Sequence, residues 1–83
     1  MYKSFMTVGT NLEITRTDLI DGKVRVYMEQ PTNSNNGFKH TRVELPSFNI
    51  IEEFELTEED KTNWLRIIKN NAELIMEAAR EGS

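Results

Sequence analysis

Few side chains in this sequence could support catalysis or bind a metal. His40 is the single histidine and there is no cysteine, which excludes two-histidine metal motifs, thiolate sites and a cysteine nucleophile. The sequence also has no glycine-rich phosphate loop and no nucleophile elbow. Because His40 falls in a predicted strand, we interpret it as an exposed strand residue. We therefore expect a non-enzymatic protein with no catalytic residue, no metal site and no cofactor.

Carboxylates, in contrast, are concentrated in one segment. Six of the nine residues from 52 to 60 are acidic: Glu52, Glu53, Glu55, Glu58, Glu59 and Asp60. Their spacing lacks the alternating ligands and the glycine of a calcium loop, and a strand end offers no cleft to separate the pKa values of an acid–base pair. Two interpretations stay open: a solvated edge whose acids favour a helix N-terminus, or an acidic surface that binds a protein partner.

The charge is unevenly distributed along the chain. The net charge is −4, which argues against a protein held to nucleic acid by bulk charge. Residues 1–50 contain six Lys or Arg and five Asp or Glu, whereas residues 51–83 contain four and nine. The acidity thus belongs to the second part of the chain.

A smaller set of basic and aromatic residues gives an alternative site. If a helix covers one face of the sheet, the other face could present Arg25, Tyr27, Lys39, His40 and Arg42. Such side chains on an open sheet can stack on bases and pair with phosphates. The alternative prediction is a nucleic-acid or anion contact through these residues, against the interpretation that they form a salt-bridged outer face.

These residues depend on a sheet that the sequence predicts over residues 1–56. Apolar and polar residues alternate in several segments, as in half-buried strands, and we place strands at about 2–8, 12–19, 23–29, 38–45 and 48–56. Asp21-Gly22 is the strongest hairpin signal, because a type I′ turn needs positive φ at both central residues. The pair Ile50-Ile51 interrupts the alternation and indicates a bulge.

One long helix is predicted over about 58–80. Thr57 is suited to the N-cap and Asp60 to the reciprocal position of a capping box, while Arg80 and Gly82 are typical of a helix end. A broad apolar arc, centred on Trp64, Ile68, Ile75 and Ala78, implies a docking face. The predicted fold is a single α+β domain, residues 1–83, with two layers: an antiparallel sheet of four or five strands and the C-terminal helix on one face.

Three further points stay open at this level. Residues 30–37 contain no large apolar residue and read as a surface loop, mobile or binding. Leu65, Ala72 and Met76 widen the apolar arc, so they either contact a second copy or lie under a curled sheet. We therefore expect a monomer or a homodimer. With no membrane-spanning or signal-like apolar run, we expect no membrane contact and a cytoplasmic protein.

The second half of the chain also carries a family pattern. Residues 54–60 (FELTEED), 65–71 (LRIIKNN) and 73–77 (ELIME) resemble the strand and helix of small bacterial domains of unknown function. Those domains have a Pro-Pro-His-Phe-His-type motif, and some are suspected toxin–antitoxin components. The resemblance covers residues 39–80 and implies the same fold. Only Phe38-Lys39-His40 corresponds to the histidine motif, and Ala78 or Ala79 stands where the family has Trp.

Together these patterns predict a small, acidic interaction module that acts through protein–protein contact, from a bacterium, a mobile element or a phage. Its contact surface would be the acidic segment 52–60, with residues 30–38 as a second candidate. The alternative is a toxin–antitoxin-type component that contacts nucleic acid through the open sheet face.

Overall fold

The computed structural model describes residues 2–9, 11–32 and 37–81 and has the predicted α+β architecture. Five antiparallel strands form one sheet in the order β1-β2-β3-β4-β5, and one helix follows them. The strands are β1 Lys3–Val8, β2 Leu12–Arg16, β3 Val24–Pro31, β4 Phe38–Leu45 and β5 Asn49–Phe54, and the helix is α1 Glu58–Glu81. Each strand therefore pairs with its neighbour in sequence, as a meander does.

The β2–β3 connection ends in the predicted two-residue turn. Asp21 and Gly22 have φ values of 53° and 76°, the positive values that a type I′ turn requires. The flanking residues exchange both backbone hydrogen bonds: Ile20 N–H donates to Lys23 O (2.9 Å), and Lys23 N–H donates to Ile20 O (3.0 Å). The turn thus sets the register of β2 against β3.

The ends of three strands differ from the prediction by two or three residues. β5 ends at Phe54 rather than at residue 56. β2 ends at Arg16 rather than at residue 19, although Thr17 N–H still donates to Arg25 O at 2.9 Å. β3 continues to Pro31, which pairs with Phe38 of β4. Pro31 lies beyond the described pairing of β3 with β2, which reaches Glu29, so it occupies an edge position that tolerates a proline. Residues 33–36 of the predicted loop lie outside the described residues, as does Gly82 at the predicted helix end.

Both edge strands carry a bulge. In β5, Glu52 pairs with Arg42 and Ile50 pairs with Val43, which leaves Ile51 as the extra residue at the predicted position. In β1, the register shifts between Ser4 and Met6. Bulges at sheet edges disturb the row of free backbone groups to which another strand could add.

The helix begins with a reciprocal cap. Asp60 N–H donates to Thr57 Oγ1 (3.0 Å), and Thr57 N–H donates to Asp60 Oδ2 (3.2 Å). Burial tends to raise the pKa of Asp60, but hydrogen bonds from Lys39 and Thr57 outweigh it and hold that pKa below its usual value. The capping box predicted with Asp in place of Glu is therefore present.

One face of the sheet packs against the helix. The buried apolar core consists of Leu12, Ile14, Val24, Val26, Met28, Val43 and Leu45 from the strands and Trp64, Ile68, Ile75 and Ala79 from the helix. Leu65, Ala72 and Met76 are partly buried and pack against this cluster, as expected if the sheet covers them. Asn71, in the same arc, donates its side-chain amide to Ile67 O at 2.8 Å.

Candidate functional site: the open face of the sheet

The face of the sheet opposite α1 carries the polar and aromatic side chains of the strands. Strand alternation places Val24, Val26 and Met28 under the helix and their neighbours Arg25 and Tyr27 on the other side. We call this second side the open face. Two adjacent rows of directly paired residues cross it: Glu13, Glu29, His40 and Phe54 form one row, and Thr15, Tyr27, Arg42 and Glu52 form the other.

Aromatic rings from three strands meet around His40. Its ring centroid lies 5.7 Å from that of Tyr27, 5.5 Å from that of Phe38 and 5.3 Å from that of Phe54. The His40 and Phe54 planes are within 15° of parallel, so these two rings stack. The register of β3, β4 and β5 thus assembles a continuous ring surface.

Arg42 extends this surface toward the N-terminus. Its guanidinium carbon lies 5.2 Å from the Tyr27 ring centroid and 5.7 Å from that of Tyr2, within the range of cation–π contacts. Arg42 Nη1 also donates to Glu52 Oε1 at 2.7 Å. We call Tyr27, Phe38, His40, Arg42 and Phe54 the open-face cluster.

Two members of the open-face cluster are exposed although they are large and apolar. Phe38 is 42% exposed and Phe54 is 51% exposed, and the ring of each contacts His40. The other members are half-buried by their neighbours. The open-face cluster therefore presents two accessible phenyl rings that the rest of the cluster holds in place.

His40 is packed in the open-face cluster rather than placed in a cleft. Its Nδ1 lies 3.3 Å from Glu52 Oε2 and makes no hydrogen bond, and its side chain is 16% exposed. A histidine beside a carboxylate can act as a general base where it reaches a substrate proton. Here the stacked Phe54 ring covers the imidazole, which supports a contact surface more than proton transfer.

Tyr27 connects the open-face cluster to Glu29. The Tyr27 hydroxyl donates to Glu29 Oε1 at 2.8 Å. Burial and this hydrogen bond raise the pKa of Tyr27 to about 12, so the phenol is a neutral donor near neutral pH. The bond fixes the position of both side chains.

The structure brings together three of the five predicted nucleic-acid contacts and separates one from them. Tyr27, His40 and Arg42 share the open-face cluster, and Arg25 lies on the same face opposite Glu44. Lys39 lies on the helix side, where its Nζ is 3.0 Å from Asp60 Oδ1 and 5.8 Å from the Trp64 ring centroid. Placing Lys39 on the open face was wrong, because it shares the strand parity of Thr41 and Val43.

The predicted acidic surface is divided between the two sides of the sheet. Glu52 lies on the open face with Arg42, whereas Glu53 faces Lys61 with Oε1 3.4 Å from its Nζ. Asp60 bonds to Lys39 and the helix cap. Glu55, between β5 and α1, and Glu58 and Glu59, in the first turn of α1, are exposed. Glu58 Oε1 also lies 3.0 Å from Lys61 Nζ.

Sequence reasoning missed the aromatic members that complete the site. Phe38 shares the strand parity of His40 and Arg42, so alternation in β4 could have placed it on the open face. Placing Phe54 needs the predicted bulge at Ile50-Ile51 together with the register of β5 against β4, and the sequence pattern gives no register. Tyr2 lies before β1 and had no periodic signal.

Comparisons with known proteins assign the chain to no family. The chain matches no protein-family model, and neither the curated proteins nor the solved structures contain a match to it. The resemblance of residues 39–80 to small bacterial domains therefore stays a prediction. Within the described ranges, no group of three or more His, Asp or Glu side chains is placed to hold a metal ion, and α1 is not apolar enough to cross a membrane.

Proposed function

We propose that this chain is a non-enzymatic binding module that acts through protein–protein contact, with the open-face cluster as its contact surface. The observation that carries the proposal is the pair of exposed phenyl rings, Phe38 and Phe54, each in contact with the packed His40. A cytoplasmic location and a bacterial, mobile-element or phage origin belong to the same proposal.

The composition of the open-face cluster supports a protein partner. Aromatic residues and arginine are enriched at protein interfaces and dominate their hot spots. Ring stacking and the Arg42–Glu52 bond hold these side chains in place before a partner arrives. Binding then costs less side-chain entropy than ordering mobile side chains would.

The edges of the sheet are less suited to binding than the open face. Strand addition needs a regular row of free backbone groups, and both edge strands are interrupted by bulges. The acidic segment is a weaker candidate for a related reason. Glu52, Glu53 and Asp60 already have cationic neighbours within the chain, so a partner would compete with those contacts.

Nucleic-acid contact is the second candidate, and the aromatic rings on an open sheet favour it because bases stack on such rings. The charge of the face opposes it. Two arginines, Arg25 and Arg42, share the paired strands of the open face with four glutamates: Glu13, Glu29, Glu44 and Glu52. A phosphate backbone is repelled by that balance, so a protein partner is the better supported proposal.

Photo-crosslinking in the producing cell tests the proposed surface. A photoreactive phenylalanine analogue replaces Phe54 in one variant and Leu74 in the control. Leu74 is 59% exposed and lies on α1, away from the open-face cluster. We expect a discrete protein adduct from position 54 and none from position 74, whereas adducts to nucleic acid from position 54 would favour the second candidate.

The captured protein is then purified and its affinity measured. Phe38→Ala and Phe54→Ala should each weaken binding at least about tenfold, as hot-spot truncations do, and Leu74→Ala should leave it unchanged. Equal adducts at both positions, or an affinity that ignores the two phenylalanines, would remove the open-face cluster from consideration as the contact surface.

A further inference from the structure

The open face has a charge balance that points to the chemistry of its partner. Of its two arginines, Arg42 is engaged with Glu52 at 2.7 Å, and Arg25 lies opposite Glu44 in the register. The two remaining glutamates, Glu13 and Glu29, lie directly opposite each other on β2 and β3. The surplus negative charge of the face is therefore located at this pair.

Within the described residues, no Lys or Arg forms an ion pair with Glu13 or Glu29. Like charges directly opposite on neighbouring strands repel each other. Across residues 2–9, 11–32 and 37–81, no Lys or Arg nitrogen lies within 4.0 Å of either carboxylate. Glu29 accepts a hydrogen bond from the Tyr27 hydroxyl, which orients the carboxylate without neutralising it. A cation supplied from outside would relieve this repulsion.

The neighbouring rings suit the same kind of ligand. Glu29 pairs with His40 in the next strand, and His40 contacts Phe38 and Phe54. A guanidinium already contacts aromatic rings on this face, since Arg42 lies over Tyr27 and Tyr2. The exposed Phe38 and Phe54 rings offer the same kind of contact to an arginine or lysine from another molecule.

We infer that the partner covers the open-face cluster with a basic segment, whose arginine or lysine side chains meet the Glu13–Glu29 pair and lie against Phe38 and Phe54. This inference rests on the proposed function. The net charge of −4 acts in the same direction, because opposite charge steers the encounter and raises the association rate.

A titration with short synthetic peptides tests the sign of the charge that the open face binds. An eight-residue peptide of alternating Arg and Gly is added to the isotope-labelled full chain at low salt, and a matched peptide of alternating Glu and Gly serves as the control. We expect the basic peptide alone to shift the backbone resonances of Glu13, Glu29 and Phe54. Equal shifts with the acidic peptide, or shifts from the basic peptide that cluster on α1, would overturn the inference.

Variants with matched charge separate a local site from general attraction. Glu13→Gln and Glu29→Gln should each lower the affinity of the chain for the basic peptide about threefold. That loss corresponds to one exposed ion pair or cation–π contact. Glu77→Gln makes the same charge change on the exposed face of α1 and should have no effect. An equal loss in all three variants would show bulk attraction and contradict the inference.

Phe54→Leu distinguishes a cation–π contact of the Phe54 ring from a hydrophobic contact. A leucine keeps hydrophobic contact but cannot form a cation–π contact, so this variant should weaken the basic peptide about threefold as well. An unchanged affinity would mean that the rings bind no cation.

The two proposals can fail separately. If the basic peptide does not bind while the crosslinked partner still requires Phe38 and Phe54, this inference is wrong and the proposed function stands. If the partner ignores both rings, the proposed function falls first.

Discussion

His40 lies among aromatic rings on the open face of the sheet. Its ring contacts Tyr27, Phe38 and Phe54, and its Nδ1 faces Glu52 at 3.3 Å without a hydrogen bond. The imidazole thus contacts and supports both exposed phenyl rings. Within the open-face cluster its contribution is to shape and packing.

At the residue scale, the raised pKa of Tyr27 makes a pH prediction. The phenol titrates at about 12 in the folded chain and at about 10 when unfolded. The contribution of Tyr27 to the free energy of unfolding is therefore fully present below about pH 10. It is lost as pH rises toward 12, because the tyrosine of the unfolded chain releases its proton first. A titration of tyrosinate absorbance measures this pKa, and Tyr27→Phe identifies the signal.

Glu29→Gln checks the cause of that shift. Removing the carboxylate charge should lower the pKa of Tyr27 toward its ordinary value, since the hydrogen bond and charge of Glu29 both raise it. Glu77→Gln, on the exposed side of the helix, should leave the titration unchanged. A Tyr27 pKa that does not respond to Glu29→Gln would show that burial and the charge of Glu52 account for the shift.

A second residue-scale prediction concerns the core. Ile68 is fully buried between helix and sheet, so Ile68→Ala should lower the free energy of unfolding by about 2–5 kcal/mol. Leu74→Ala truncates an exposed side chain on the same helix and should change it by less than about 0.5 kcal/mol. Chemical denaturation of both variants measures the difference. Similar losses at the two sites would contradict the assigned helix face.

At the element scale, the helix cap gives a matched pair of variants. Thr57→Ala removes the acceptor for Asp60 N–H and should cost about 1 kcal/mol. Thr62→Ala makes the same chemical change one turn later, where the hydroxyl donates back to Glu58 O. Alanine is the better helix former there, so Thr62→Ala should be neutral or slightly stabilising. Equal destabilisation in thermal unfolding would exclude a specific role for the cap.

The elements themselves were predictable because their signals are local. Alternation in β3 and β4, the Asp21-Gly22 turn and the Thr57–Asp60 cap each depend on residues close in sequence, and each is present in the structure. The candidate site depends on register between strands instead. Phe54 reaches His40 because the extra residue Ile51 shifts the parity of β5 and because His40 pairs with Phe54. The Ile50-Ile51 pattern indicated the bulge, but the pairing of β4 with β5 is a long-range register that a sequence pattern does not give.

At the scale of the whole molecule, the two faces of the sheet have different surroundings. The helix and one sheet face form the core, while the open face carries exposed rings and surplus carboxylates. Phe38 and Phe54 lie outside the helix-side core, so substituting them should destabilise the fold less than a core substitution such as Ile68→Ala. Chemical denaturation of each open-face variant then separates a loss of affinity from unfolding.

The order of the elements has a consequence for synthesis on the ribosome. All five strands precede the helix, so the apolar side of the meander is made first and has no cover until α1 emerges. A chain that stops at residue 56 lacks Trp64, Ile68, Ile75 and Ala79, the helix share of the core. We expect circular dichroism to show this fragment without cooperative unfolding and a separate 57–83 peptide to restore it. A fragment that folds alone would show that the nascent sheet needs no protection by chaperones.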